Sequence, residues 1–369
     1  LWAVGQWGVF HGDGVSWTDE SADFLEGGTA HDVAGLGDGR LAIVSNEEAI
    51  DGENVHVRLH VWEGGAFSST DLGWIDEYGR AVGGDGTGAA LAVSGSTAWL
   101  LEVDAWSELI LPAEEYWVDV IGFDGHWILV SIDGTVLRGS PDGWVVEEVE
   151  VYEPRLAGTT EDDLWIVGMD PDTYEGGAIW HDQGLGWAEV PSPGPTLWAA
   201  VAPVAGEIVV GADGPAIGRG DGEGVDVEWT TPSLVGDGAA WSAPDGRVFL
   251  ADYHGQLLVD EGGAWTSLGW VGESGQRVFL DGCEGTVFAL SEVGILSTWD
   301  GAVLDRDEQL VEENTQYNDL SVGQQCIPVA PGRHTRAAEA DTALIRYLAD
   351  GISPDLPPPP HRCPTDRLV

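Results

Sequence analysis

Val118-Asp119-Val120-Ile121-Gly122, Trp127-Ile128-Leu129-Val130, Thr135-Val136-Leu137-Arg138 and Trp144-Val145-Val146 are short apolar runs, separated by Asp124-Gly125, Asp133-Gly134 and Asp142-Gly143. An Asp-Gly pair supplies the positive-φ positions that a two-residue hairpin turn demands, and it is the strongest short-range hairpin signal in a sequence. The stretch therefore reads as four strands joined by tight turns, an antiparallel meander. A sheet this small cannot bury its two faces alone, so something must pack on each.

Repetition supplies the packing partner. The chain opens with Leu1-Trp2-Ala3-Val4-Gly5, Gly8-Val9-Phe10-His11, Asp13-Gly14 and Ser16-Trp17. A close copy is Asp163-Leu164-Trp165-Ile166-Val167-Gly168, Gly177-Ala178-Ile179-Trp180-His181 and Gly186-Trp187. Looser copies close on Phe67, Trp106, Trp144, Trp229, Trp265 and Trp299, and successive closing residues are 50, 39, 38, 43, 42, 36 and 34 residues apart. Four-stranded propeller blades repeat every ~40–50 residues. The expected fold is all-β, a single β-propeller of eight four-stranded blades over residues 1–323. Seven blades is the alternative, if the 50-residue first gap hides an irregular unit. The recurrent indoles are expected to pack between blades, where a large flat side chain is needed once per unit.

Leu1–Gly5 matches the second strand of later units, so the first blade is expected to lack its innermost strand. Tyr317-Asn318-Asp319-Leu320-Ser321-Val322-Gly323 resembles first strands such as His31-Asp32-Val33-Ala34-Gly35. Its expected role is to complete the first blade and seal the ring, which removes an open edge. An upstream segment carrying a secretion signal or a lipid-anchored cysteine is expected outside this chain.

These repeats resemble the Gly/Trp-rich "Leu-Trp-Ala-Val-Gly…His-x-Asp-Gly-x-x-Trp" propeller repeats of proteins secreted by GC-rich bacteria, over roughly residues 1–301. The resemblance implies architecture and a secreted or cell-surface location, and it says almost nothing of activity. Other propeller signatures fit poorly. Trp299-Asp300 has no Gly-His partner, and Ser140-Pro141-Asp142-Gly143-Trp144 lacks sialidase Asp-box spacing.

Composition narrows the partners. The chain carries 54 Gly and 19 Trp against one Met, a mix suited to many short strands and tight turns. Its formal charge is −50, and all 14 basic residues are Arg. Such a surface repels phosphate, which excludes nucleic acid and disfavours anionic membranes. Cationic partners, divalent metals and high-salt surroundings are compatible with it, and the acidity also keeps an extracellular protein soluble. No run of 18 apolar residues exists to form a membrane-spanning helix.

Residues 324–369 differ in kind. From Ser321 onward five Arg balance five acidic residues, so the propeller carries essentially the whole negative charge. Thr335 is placed to cap a helix over 336–350, with Gly351 at its stop. Ala337, Ala340, Leu344, Tyr347 and Leu348 form its apolar stripe, which is expected to dock on the propeller or on a partner. Pro357–Pro360 then favours an extended polyproline strut, followed by His361 and Arg362. Leu344, Tyr347, Leu348 and Arg362 are the candidate partner-docking residues. Among Cys283, Cys326 and Cys363, a disulfide between Cys326 and Cys363 is expected, because it would staple the non-repeat tail.

No GxSxG elbow, HExxH or phosphate loop occurs, and the His residues are scattered. His11 and His181 hold equivalent repeat positions, which points to a structural role, and His56 and His60 fall on one face of a strand. Asp170, Asp172 and Glu175 are the candidate metal ligands: alternating oxygens suit Ca2+, although EF-hand spacing is absent. The expected function is a non-catalytic extracellular or cell-surface scaffold that binds a protein partner or assembles with itself through its tail. The alternatives are a carbohydrate-binding or carbohydrate-active propeller with its glycan at the channel mouth, and a calcium-dependent adhesion module.

Overall fold

The computed structural model describes residues 2–307 except 6–7, 13–16, 20–28, 37–39, 49–54, 65, 76–78, 174–176, 193–197, 205–206, 213–215, 230–239, 253–254, 262–264, 274–277, 284–285 and 292–294. The described residues form one three-stranded and seven four-stranded antiparallel sheets, each a meander in sequence order. The first blade holds β1 (Trp2–Gly5), β2 (Gly8–Gly12) and β3 (Trp17–Asp19). The second holds β4 (Thr29–Gly35), β5 (Leu41–Glu48), β6 (Val55–Glu63) and β7 (Ala66–Ile75). The third holds β8 (Gly79–Gly84), β9 (Ala90–Ser94), β10 (Thr97–Glu102) and β11 (Ala105–Leu109). The quoted stretch makes the fourth: β12 (Trp117–Phe123), β13 (His126–Ser131), β14 (Thr135–Ser140) and β15 (Gly143–Glu148). The fifth holds β16 (Tyr152–Thr160), β17 (Asp163–Met169), β18 (Gly177–Asp182) and β19 (Trp187–Glu189). The sixth holds β20 (Trp198–Val204), β21 (Glu207–Ala212), β22 (Ala216–Asp221) and β23 (Gly224–Trp229). The seventh holds β24 (Ala240–Ser242), β25 (Val248–Ala251), β26 (Gln256–Asp260) and β27 (Trp265–Trp270). The eighth holds β28 (Val278–Cys283), β29 (Thr286–Ser291), β30 (Leu296–Trp299) and β31 (Leu304–Asp307).

From the second blade to the eighth, each first strand contacts the first strand of the next blade, so these strands line a common axis. The second and third strands are the most buried, and the fourth strands form a largely exposed rim. Six apolar clusters fill the successive seams between those blades. In the seam between blades three and four, Leu91 and Leu100 meet Trp117, Trp127 and Leu129. Among the described residues every such core is thus shared between two blades.

Trp106, Trp144, Trp187 and Trp265, at or near the start of their fourth strands, each pack onto the cluster shared with the preceding blade. The indole N–H groups of Trp106, Trp144 and Trp187 are buried without an acceptor. Burying about 200 Å2 of indole at about 25 cal/mol/Å2 gains about 5 kcal/mol, which exceeds the ~1–3 kcal/mol for a lone donor. Packing wins. Two closing residues stand elsewhere than expected. Trp229 ends its fourth strand, because the turn before it leaves Val225 to fill the seam. Trp299 ends the third strand β30 and is itself buried in the last seam, where Leu304 of β31 packs beside it.

Among the described residues the first blade has three strands, and β1 pairs with β2. The closing strand at Tyr317–Gly323 lies outside the described residues, as do the helix at 336–350 and the polyproline segment.

Polar staples reinforce the seams. β4 and β12 each carry a bulge just before an aspartate, between Ala30 and Asp32 and between Trp117 and Asp119. Asp32 accepts the Val33 amide at 2.8 Å through one oxygen and the Val82 amide of the next blade at 2.7 Å through the other. Asp119 repeats the device with Val120 and with Leu156, both at 2.9 Å. Replacing Asp119 by Ala strands two amides at once. The expected loss is about 2–4 kcal/mol of unfolding free energy, measured by urea denaturation; a change under about 0.5 kcal/mol would show that the staple is idle.

Candidate functional site

The first strands of the second to fifth blades line an open cleft of about 360 Å3. Its walls include Ala34, Gly84, Ile121, Gly122, Phe123 and Gly158. Glycine is required here by crowding: a Cβ on Gly84 would lie 2.2 Å from the Gly35 carbonyl oxygen, and one on Gly83 would lie 2.7 Å from that of Val120. The cleft offers aliphatic surface and peptide groups. The nearby Asp32 and Asp119 are already committed to amides of their own and the next blade.

Arginines clasp the seams as well. Arg138 reaches from β14 to the buried Asp182 of the fifth blade, and Arg219 reaches from β22 to the buried Asp260 of the seventh. Arg40 donates to the carbonyls of Gly88 (2.7 Å) and Val103 in the third blade. Arg247 pairs with Asp245 at 2.7 Å and lies 4.8 Å from the ring centre of Trp299. Sequence reading missed the contacts of Arg40, Arg138 and Arg219, because nothing local links residues one repeat apart.

The expected metal ligands are only partly described. Asp170 sits in the loop after β17, where its Oδ1 accepts the amides of Asp172 at 2.8 Å and Thr173 at 3.1 Å. That is an Asx turn, a local use for the carboxylate. Glu175 lies outside the described residues. Among the described residues no group of three His, Cys, Asp or Glu is arranged to hold a metal ion. Cys326, Cys363, Leu344, Tyr347, Leu348 and Arg362 lie outside the described residues too.

His181 stacks on Trp165 at 3.5 Å between ring centres, with its Nε2 at 3.0 Å from Asp163, which Thr159 also contacts. This is packing chemistry, in keeping with its repeat position. The second blade is different. Val55, Val57, Leu59 and Val61 of β6 enter the seam with blade three, so His56, Arg58 and His60 occupy the opposite face. His60 is fully buried, with Ser45 Oγ and Ser69 Oγ each at 2.7 Å from a ring nitrogen. One hydroxyl can donate while the other accepts, which suits a neutral imidazole. Burial, and after it the charge of Arg58, lowers the His60 pKa to about 3.

His56 lies one step further out. Its Nε2–H donates to Asp71 Oδ1 at 2.6 Å, its Nδ1 is 3.4 Å from Glu47, and its ring stacks on Trp74 at 4.9 Å. Trp74 is 53 % exposed, so the indole face away from His56 meets solvent. Asp71 Oδ1 also accepts the Gly73 amide at 2.7 Å, and Gly73 takes a φ of 82° beside a bulge in β7. Slight desolvation of the Asp71 carboxyl is outweighed by the Gly73 amide and the His56 ring, which hold its pKa below the usual range. β27 repeats the device. Leu268-Gly269-Trp270 copies Leu72-Gly73-Trp74, with a bulge, a positive φ of 144° at Gly269 and a tryptophan 51 % exposed. In the meander both indoles stand at the ends of fourth strands, on one face of the propeller. Leu-Gly-Trp was the available signal, obscured because a third copy, Leu185-Gly186-Trp187, packs its indole into a seam, as most of the tryptophans do.

No protein-family model matches the chain, and no curated protein matches it in sequence. Solved structures match in shape, and the neighbours are β-propellers. A catalytically inactive virginiamycin B lyase from Staphylococcus aureus, solved with quinupristin, superposes with a TM-score of 0.54 at 11 % identity, over 73 % of this chain and 94 % of that one. The computationally designed protein Ika8 gives 0.54 at 15 %, over 75 % and 86 %. KlAtg21, solved in complex with the coiled coil of AgAtg16, gives 0.51 at 11 %, over 71 % and 96 %. At such identities the likeness establishes the propeller fold and nothing finer.

The His60 pKa is lower folded than in the unfolded chain, where it is near 6.5. Its stabilising contribution is therefore complete above pH 6.5 and lost as pH falls toward 3. The His60→Asn variant should show a flatter loss of melting temperature across that window than the parent, and identical slopes would refute the assignment. Calcium addition and chelation test the expected ligands Asp170, Asp172 and Glu175: a calcium-dependent rise in melting temperature would support the metal reading, and no shift under either treatment would count against it.

Proposed function

We propose that this chain is a non-catalytic scaffold, outside the cell or on its surface, that holds a protein partner and assembles through residues 324–369. The observation that carries the reading is how charge is spent. Asp32 and Asp119 on the channel wall, and Arg40, Arg138 and Arg219 between blades, serve to hold blades together. What remains to face a partner is mostly carboxylate, since the chain has 64 acidic residues against 14 basic ones. A partner with a basic surface fits that field, which would speed encounter and make binding salt-dependent.

The Gly/Trp-rich repeats and the compositionally distinct tail support a secreted assembly module. The coiled coil held by KlAtg21 is in keeping with such a use of the fold. Light scattering of the full chain and of a form lacking 324–369 tests the assembly. The full chain should be oligomeric and the shortened form monomeric; the same number of chains per particle in both would retire the reading.

A further inference from the structure

Trp74 and Asp71 offer two chemistries side by side. The indole is clamped on one face by His56, whose ring is held by Asp71 and Glu47, and its other face is open. Asp71 uses Oδ1 for both of its described hydrogen bonds, and its side chain is 61 % exposed, which leaves Oδ2 toward solvent. A flat, preorganised aromatic surface suits the ring faces of a polyproline II segment. An exposed carboxylate beside it suits a guanidinium.

The chain itself contains a segment with both features. Pro357–Pro360 is followed by His361 and Arg362, and no acidic residue lies between Pro357 and Pro364. We infer that the outer edge of the second blade receives the Pro357–Arg362 segment of a neighbouring copy, with proline rings on Trp74 and Arg362 on Asp71. Spacing agrees. Three residues of polyproline II, from Pro359 to Arg362, rise about 9 Å. The His56 ring touches both groups, 2.6 Å from Asp71 Oδ1 and 4.9 Å between ring centres from Trp74, so carboxylate and indole lie within that reach of each other. Trp270 supplies a built-in comparison, because it stands on the same Leu-Gly-Trp device but has Ser267 where the second blade has Asp71.

This inference rests on the reading of the tail as a docking element. It names the surface that element meets. Its test is a fluorescence-anisotropy titration of a labelled peptide covering residues 353–367, with Cys363→Ser, into the full-length chain in which Pro357–Pro360 and Arg362 are all replaced by Ala so that the resident tail does not occupy the site. Saturable binding is expected. Trp74→Ala and Asp71→Asn should each weaken it by about tenfold, while Trp270→Ala changes it less than about twofold. A peptide with Arg362→Ala should also lose about tenfold. The inference is overturned by absence of saturable binding, by equal affinity of the Trp74→Ala chain, or by undiminished binding of a peptide whose four prolines are replaced by Ala, which would indicate charge attraction alone. Because the titration does not depend on particle mass, its failure is separable from a failure of the assembly reading.

Discussion

Everything in this molecule depends on the seam between adjacent blades. A four-stranded meander of short strands has two apolar faces and no interior, so each must be covered by a neighbouring sheet. The six shared clusters are the direct consequence, and a fourth-strand tryptophan is the wedge that fits most of them. Stability in such an array is a sum of unit and neighbour terms, as in other repeat proteins.

The same seam explains the use of scarce positive charge. With 14 Arg and no Lys in the chain, several guanidiniums are directed at an adjacent blade. Arg138 and Arg219 each meet a buried aspartate, which would otherwise be an uncompensated charge in the core. Arginine suits this role because its planar fork bonds carboxylate and carbonyl without losing charge. The outer surface is left acidic as a result, so the interior architecture and the electrostatic character presented to a partner share one cause.

The rim departs from the pattern in the second blade. β6 and β7 run to nine and ten residues, and β7 bulges so that Gly73 turns Trp74 out against His56. A tryptophan that packed inward would be one more wedge. Held by an imidazole and half exposed, it becomes a recognition surface.

The period and the hairpins were both readable along the chain. They depend on turn chemistry and alternation within a dozen residues: Asp133-Gly134 demands a turn wherever it sits. The packing role of the indoles followed from recurrence, although Val225 fills the seam at the fourth strand of the sixth blade, and Trp299 enters the last seam from a third strand beside Leu304. Only the tertiary structure decided that Asp32 binds the Val82 amide 50 residues away, that Arg138 meets Asp182 44 residues on, and that Trp74 faces solvent while Trp165 is buried. Those pairings join equivalent regions one repeat apart. The twist and stagger of neighbouring sheets, which no local pattern encodes, select which of many carboxylates and indoles meet.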